Sequence, residues 1–402
     1  MTTVGMHLLR RETPLGGESF GGYLTRMAQK NGYDSAVWLL SAGGIRCKHG
    51  VSTNISFCDS AAGLVGLASL LGLDVSELLT LSYPRPTSKD ARTDYTFFGH
   101  RVQQYVLRPD RPKVCPACLG EAAHSRRIWE CSLVTTCPRH GRLLIDHCPG
   151  CSRRISWLRG KVCVCGCGYD WREAAPAMPL PDKELALTKY VHQLCGVKTA
   201  GEEANWQPPS NPLFTLSLRG LVSAVTFIAS QSRGISCSTG RYITSTARND
   251  SLHETFSRAY RVFEDWPVRY HEFLGQHQAC AGKGGKLRSG GHPSLGASFG
   301  RIYSGLYTTL EAPEFDFMRA GFASYVFTQW TGQTTTPRSP VEHSLPHPGK
   351  YITGTETRHL LEVSGYHLAY LIETGQLRVV TPRKKRSRSL NLIEVNDLVS
   401  RP

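Results

Sequence analysis

The sequence predicts a mostly α-helical protein with four parts: a helical, helix-turn-helix-like N-terminal domain, a tandem zinc-ribbon-type module, a helical middle domain and a C-terminal winged helix-turn-helix. Three observations predict this class. Helical periodicity with capping signals recurs at both ends of the chain, nine of the 14 cysteines lie within residues 115–167, and a basic run near the C-terminus lies between strand-like segments. The 402 residues allow several domains, and we place them at 1–112, 113–175, 176–345 and 346–402.

Composition narrows the class of partner and the compartment. Lys and Arg number 47 and Asp and Glu 32, a surplus of 15 positive charges that favours a polyanion such as nucleic acid. The longest apolar run, residues 220–232, falls short of the roughly 18 residues of a membrane helix, so we expect no membrane span. Arg10 and Arg11 lie where a secretory signal would be apolar. We therefore expect cysteines that are thiols or metal ligands rather than disulfides.

The N-terminal domain begins with an amphipathic helix over residues 18–31, which the sequence ends with Asn31-Gly32. Two more helices are predicted at 35–42 and 60–71. Asp74-Val-Ser-Glu77 is a capping-box pattern that predicts a fourth. Two helices joined at Gly72 suit a helix-turn-helix, and two packed core helices are the alternative, because the exposed positions carry few basic residues.

Proline clusters predict the boundaries around the cysteines: a linker over 82–112 and a far edge at 176–181. Residues 183–195, 212–231 and 252–274 have helical length and spacing, which predicts the helical middle domain. Residues 281–300 contain seven glycines and three cations, so we expect a basic loop, for which a solvated linker is the simplest interpretation. A second linker is expected at 333–349.

The cysteine spacing predicts two zinc sites. Pairs of ligands separated by two residues bring their side chains together at a turn, and two such pairs complete a tetrahedron. Cys163 and Cys131 are then spare buried thiols, because Gly168 directly after Cys167 allows the tight turn that a ligand pair needs. The ligands are Cys115, Cys118, Cys137 and His140 in the first site, and Cys148, Cys151, Cys165 and Cys167 in the second.

Both sites are predicted to be structural, with two Zn²⁺ per chain. Each has four protein ligands, whereas catalytic zinc keeps an open position. The sequence has no His-Glu-x-x-His motif and no deaminase signature, and no phosphate-binding loop of the Gly-x-x-x-x-Gly-Lys-Ser/Thr type. Carboxylates that assemble from distant positions stay open, yet no motif indicates an enzyme.

The C-terminal unit is predicted to bind DNA. A capping box at Thr353 to Glu356 opens one helix, and a second helix over 366–374 ends at Gly375. Strands at 376–380 and 390–393 would flank a basic hairpin tip, which is the arrangement of a winged helix-turn-helix. A solvated charged tail is the alternative. The predicted DNA contacts are Tyr366, His367, Tyr370, Arg378, Arg383, Lys384, Lys385, Arg386 and Arg388.

Together these residues resemble the TniQ/TnsD family of transposition target-selection proteins. The N-terminal match is the pattern of Pro14, Glu18-Ser19, Tyr23-Leu24, Arg26 and Asn31-Gly32. The most specific match is Cys115-Pro-Ala-Cys118-Leu-Gly-Glu121, Trp129, Cys137-Pro-Arg-His140-Gly, Cys148-Pro-Gly-Cys151 and Cys165-Gly-Cys167-Gly. The resemblance covers roughly residues 10–172, and the C-terminal unit is similar to excisionase-type winged helices.

The resemblance implies a non-enzymatic adaptor in the bacterial cytoplasm, associated with the nucleoid. Family members bind a target and recruit an AAA+ ATPase regulator, which brings the transposase. Two modes stay open: direct reading of double-stranded DNA, which the basic C-terminal unit favours, and linkage to a CRISPR RNA-guided effector complex. Some relatives form homodimers, but the sequence has no heptad pattern that would support one.

Overall fold

Helices make up most of the described chain, which confirms the predicted fold class at this level. The structure is a computed structural model. Contacts divide the chain into two units, residues 1–210 with 216–260, and residues 211–215 with 261–402. The finer division into four domains stays a prediction. The described residues are 7–45, 56–57, 61–85, 94–157, 159–175, 178–198, 208–232, 244, 247–284, 295–330, 351–380, 392–394 and 398.

The first unit opens with four helices, α1 (Phe20–Lys30), α2 (Ala36–Ala42), α3 (Val65–Leu71) and α4 (Val75–Leu81). Each lies where the sequence predicts it. The Ser19 hydroxyl accepts the Gly22 N–H at the start of α1, and Asp74 and Glu77 form the predicted capping box of α4. Apolar residues on one face of each helix form a shared core, which contains Phe20, Tyr23, Leu67 and Leu78.

Helices α3 and α4 meet at 107° across a break that begins at Gly72, an angle within the range typical of a helix-turn-helix. The exposed residues of α4, Ser76 and Thr80, carry no charge. No single helix in the described chain is long and apolar enough to cross a membrane, and by length and composition alone only this bent pair passes such a test.

A β-hairpin follows α4, so the prediction of a linker over 82–112 is wrong. Strands β1 (Asp94–Phe97) and β2 (His100–Gln103) pair antiparallel, with Tyr95 opposite Val102. Tyr83, Phe97 and Val106 are buried. Of the described prolines, Pro109 lies in a turn and Pro112 is buried, so the density of prolines does not indicate an extended linker here. Residues 86–93 lie outside the described chain.

The cysteine-rich part contains α5 (Pro116–Glu121) and the short antiparallel strands β3 (Thr136–Cys137) and β4 (Arg142–Leu143). Three long helices complete the unit: α6 (Asp182–Leu194), α7 (Leu218–Ser232) and α8 (Asn249–Arg261). A 3-10 turn over Pro212–Thr215 occupies the start of the helix that we predicted at 212–231.

Among the described residues up to 330, the second unit contains the helices α9 (Val268–Gly284), α10 (Leu295–Phe299), α11 (Arg301–Thr308) and α12 (Asp316–Thr328). The single helix predicted over 252–274 is wrong. The chain leaves the helical conformation between α8 and α9, where Pro267 has no N–H to donate. The loop predicted over 281–300 is also wrong at both ends, which are helical in α9 and α10. Residues 285–294 and the second predicted linker lie outside the described chain.

The C-terminal part of this unit has the order strand, helix, helix, strand, strand. Its elements are β5 (Tyr351–Thr353), α13 (Gly354–Leu361), α14 (Gly365–Glu373), β6 (Val379–Val380) and β7 (Leu392–Glu394). Strand β7 pairs antiparallel with both β5 and β6, so that Ile393 lies opposite Ile352 and Val379. Leu368 and Leu377 are buried beneath α14, whereas Leu371 and Ile372 are only half-buried.

A backbone N–H of α10 and side chains of α11 and α12 hold these C-terminal elements within the unit. The Leu295 N–H donates to Glu356 Oε1 at 2.7 Å, and Tyr303 Oη lies 2.7 Å from His359 Nδ1. Arg319 Nε donates to Glu362 Oε1 at 3.0 Å. Helix α13 is therefore fixed to the helical part, and α14 stands on the outside of a packed structure.

Candidate metal centres and nucleic-acid interface

The first candidate metal centre joins α5 to the β3–β4 hairpin. Cys115 precedes α5, whose first residue is Pro116, and Cys118 lies one turn later. Cys137 ends β3, and His140 lies in the turn before β4, where Gly141 has a positive φ of 59°. The local folds of both segments follow from residues suited to a helix start and to a tight turn.

The four ligand atoms of this centre have the spacing of a tetrahedral site. His140 Nδ1 lies 3.4, 3.3 and 3.4 Å from the sulfurs of Cys115, Cys118 and Cys137, and the last two sulfurs are 3.6 Å apart. A tetrahedron with Zn–S bonds of about 2.3 Å has edges of about 3.8 Å. The residues therefore fit an ion of this size. The three sulfurs are buried and His140 is half-buried.

Glu121 supports the imidazole of this centre from behind. Its Oε1 lies 3.1 Å from His140 Nε2, and its Oε2 forms an ion pair with Arg139 Nη2 at 3.0 Å. A carboxylate on the second ring nitrogen fixes the tautomer that leaves Nδ1 free to bind a metal. In the sequence, Glu121 stands out only as part of the family pattern, although its position three residues after Cys118 on one helix is a usable signal.

The second candidate centre is built from two turns. Cys148 Sγ lies 3.8 Å from Cys167 Sγ, and Cys151 Sγ lies 3.8 Å from Cys165 Sγ; all four sulfurs lie within 4.8 Å of one another. Gly168 has a positive φ of 94° and its N–H donates to the Cys165 carbonyl, as the predicted tight turn requires.

Exposure distinguishes the second centre from the first, since Cys167 is exposed and Cys151 half-buried. The Arg153 guanidinium hydrogen-bonds to Cys151 and lowers the pKa of that thiol to about 6, which favours the thiolate that a metal ion needs. Cys163 and Cys131 are buried and belong to neither group of four. The grouping of the cysteines is therefore the predicted one.

Helices α6 and α8 are anchored to the first centre through buried polar contacts. The Asn249 N–H donates to Asp146 Oδ2 at 2.8 Å, and its amide donates to the carbonyls of Thr135 and Leu144. His253 lies between Thr135 Oγ1 and Glu184 Oε2, at 3.0 and 3.2 Å. The β3–β4 hairpin is thus fastened on one side by the tetrad and on the other by the helices.

A buried ion pair explains the Glu-Ser and Arg positions of the N-terminal pattern. Arg26 donates to both carboxylate oxygens of Glu18 at 2.8 Å, and Glu18 is fully buried. Arg26 also donates to Glu12 at 2.7 Å. Glu18 forms a β-bridge with Arg126, which connects this ion pair to the cysteine-rich part. These contacts give the residues a structural role in the fold.

The candidate nucleic-acid interface is α14 with its flanks. Tyr366 is 92% exposed, Tyr370 57%, and His367 and Arg378 are exposed. Arg358, which the sequence did not single out, has its guanidinium carbon 3.8 Å from where a Cβ on Gly365 would lie, at the start of α14. The five cations predicted in the wing tip, at positions 383–386 and 388, lie outside the described residues.

Comparison with known protein families agrees with the resemblance predicted from the sequence. Residues 9–144 match the TniQ family, about a third of the chain. Residues 9–144 therefore form a TniQ domain, which supports the predicted resemblance and implies a role associated with transposition. The match contains the buried ion pair and the first candidate metal centre, and the second centre lies beyond it. No curated protein sequence matches the chain.

Proposed function

We propose that this protein is a non-enzymatic target-site selector of a transposon, which binds double-stranded target DNA and recruits an AAA+ ATPase regulator and the transposase. One observation carries the proposal: a TniQ domain and a strand-helix-helix-strand-strand unit with an exposed second helix occur in one chain. The TniQ domain supplies the link to transposition, and the C-terminal unit supplies a surface for DNA.

The order and pairing of the C-terminal elements support the DNA-binding part. In a winged helix-turn-helix the second helix enters the major groove and the hairpin contacts the backbone. Helix α14 is exposed, and strands β6 and β7 pair antiparallel on either side of the basic segment. Five of the six positions 383–388 are cations, which suits contact with phosphates.

The two tetrads would hold one structural Zn²⁺ each. Three thiolates and an imidazole, or four thiolates, are the ligand sets of structural zinc, and four protein ligands leave no position for a substrate. We expect two zinc ions per chain by elemental analysis, and loss of ordered structure in the first unit on chelation, reversed by added zinc. A metal-free preparation whose first unit keeps its circular dichroism spectrum would refute the structural role.

The test of the function is a footprint with the protein alone. A selector that reads DNA directly should protect one site on its target fragment at fixed salt, and should bind random DNA of equal length far more weakly. In the bacterial cytoplasm such a protein would be found on the nucleoid. If a footprint appears only when an RNA-guided CRISPR complex is added, the function is instead that of an adaptor between this complex and the ATPase.

A further inference from the structure

The exposed face of α14 is aromatic and carries no cation. Tyr366 and Tyr370 lie one turn apart and share this face with Ala369, and Glu373 follows at the C-terminal end. The His367 ring packs edge-on against Tyr370, with ring centroids 6.4 Å apart. Two tyrosine rings with exposures of 92% and 57% are thus held in one row on the outside of the unit.

The composition of α14 limits what this face can recognise in a major groove. The nine residues Gly-Tyr-His-Leu-Ala-Tyr-Leu-Ile-Glu include no Arg, Lys, Asn or Gln. Those four residue types make the commonest specific contacts, to guanine and adenine. Ring faces and the Ala369 methyl group can instead contact the C5-methyl group of thymine, the one apolar group that a base pair presents in this groove.

Cations flank the aromatic face instead of lying on it. Arg358 lies beside the first turn of α14, and Arg378 follows its last turn. Both are exposed, and neither forms an ion pair with a described residue. Nine residues at about 1.5 Å each give a helix of about 14 Å, comparable with the roughly 12 Å width of the major groove. The two guanidinium groups are therefore suited to backbone phosphates and the rings to bases.

We propose that α14 reads thymine methyl groups through Tyr366 and Tyr370, while Arg358 fixes its register by binding a backbone phosphate. The inference rests on the proposed function and adds the class of base that is read and a positioning residue. It assigns specificity to apolar contact, so the preferred duplex should carry thymines at the positions that α14 covers.

The experiment removes the methyl groups and leaves the base pairing intact. A duplex enriched by this full-length protein from a random 20-base-pair pool is made again with deoxyuridine in place of thymidine, one position at a time. We expect about fourfold weaker binding at each contacted position, the effect of withdrawing one buried methyl group. Tyr366→Ala and Tyr370→Ala should lose this sensitivity, and Tyr366→Phe and Tyr370→Phe should keep it.

The outcomes separate this inference from the proposed function. If the protein binds its duplex selectively but deoxyuridine weakens binding at no position, the proposed readout of methyl groups is refuted and the proposed selector function stands. Failure to enrich any duplex would overturn the selector itself, and with it this inference. For Arg358→Gln we expect the log–log slope of the DNA-binding constant against salt concentration to fall by nearly one unit. Arg269→Gln, which changes an exposed arginine of the same unit, should leave this slope unchanged. An equal slope in both variants would remove Arg358 from the interface.

Discussion

Single residues next to the candidate metal ligands contact each tetrad. Glu121 contacts His140 on the nitrogen that faces away from the sulfurs, and it is itself held by Arg139. The second tetrad has no imidazole, and there Arg153 contacts a thiol directly. One centre is thus supported by a carboxylate and the other by a guanidinium, in keeping with the different charges of their ligand sets.

Removal of Glu121 should weaken the first centre alone. We expect Glu121→Ala to lower its zinc affinity by about 10- to 100-fold, because the imidazole loses the partner that orients it. Competition with a chromophoric chelator measures this effect. Glu173→Ala, which removes an exposed carboxylate from the same cysteine-rich part, serves as the control. Equal affinities in the two variants would contradict the role assigned to Glu121.

Glu130 predicts a pH dependence of stability. Burial raises its pKa from 4.5 to about 7, against the lowering effects of the Tyr83 hydroxyl, Arg127 and Ser19. The folded protein therefore keeps this proton at pH values where the unfolded chain has lost it, so that the stabilisation is complete below pH 4.5 and falls as the pH rises to about 7.

The comparison with a neutral side chain isolates this effect. Relative to Glu130→Gln, we expect the wild-type free energy of unfolding to decrease by on the order of 3 kcal/mol between pH 4.5 and 7.5. Urea titrations of the zinc-loaded proteins at several pH values measure the difference. Glu311→Gln, which removes an exposed carboxyl group, serves as the control variant. A constant difference for Glu130→Gln would show that the carboxyl stays charged.

At the scale of elements, the second centre distinguishes between neighbouring cysteines. Cys167 belongs to the tetrad although it is exposed, whereas the buried Cys163 does not. We expect Cys167→Ser to contain one zinc per chain and Cys163→Ser to contain two, as measured by elemental analysis of the purified proteins. One zinc per chain in Cys163→Ser and two in Cys167→Ser would show that Cys163, and not Cys167, is the metal ligand.

Elements with a local chemical signal were predictable from sequence. Helix α4 and helix α13 each start at a capping box, and both boxes are formed in the structure. The metal tetrads were predictable for the same reason, since two-residue spacing is local. The hairpin of β1 and β2 was not, because its strands are only four residues long and Tyr95 and Phe97 are buried against Phe57 and Tyr83, which lie outside the hairpin.

Side-chain contacts between distant elements were also beyond sequence reasoning. The link of Asn249 to Asp146 spans 103 positions, and no pattern in either segment indicates the other. Helices α10 to α12 were predicted only as part of a helical domain. The glycine-rich composition of 281–300 concealed α10, whose Leu295 and Phe299 are buried by tertiary packing.

At the scale of the whole molecule, the charge surplus favours a polyanion. Two zinc ions bound by seven thiolates bring seven negative charges against four positive, a difference of three, and lower the surplus from 15 to 12. We expect the wing to carry much of the phosphate binding. Alanine at 383–385 should lower the log–log salt slope of DNA binding by nearly one unit for each phosphate that the wing no longer binds.

A matched triple variant makes this prediction specific. Arg248, Arg258 and Arg269 are exposed, and each is paired with a nearby carboxylate. Their replacement by alanine changes the net charge equally, so the slope should stay at the wild-type value. Filter binding over a series of salt concentrations measures both variants. Identical slopes in the two triple variants would mean that the wing does not bind phosphates.

The hydrogen bond from Asn249 to Asp146 also has a consequence for synthesis on the ribosome. The hairpin with Cys137 and His140 is complete about 100 residues before its helical anchor has been made, since the bond spans 103 positions. At about 5 to 20 residues per second, this interval lasts about 5 to 20 s. During that time the hairpin lacks this anchor, and a bound metal ion would add to the strand pairing that holds it closed. Zinc present during translation should therefore give a higher yield of folded protein than zinc added after release.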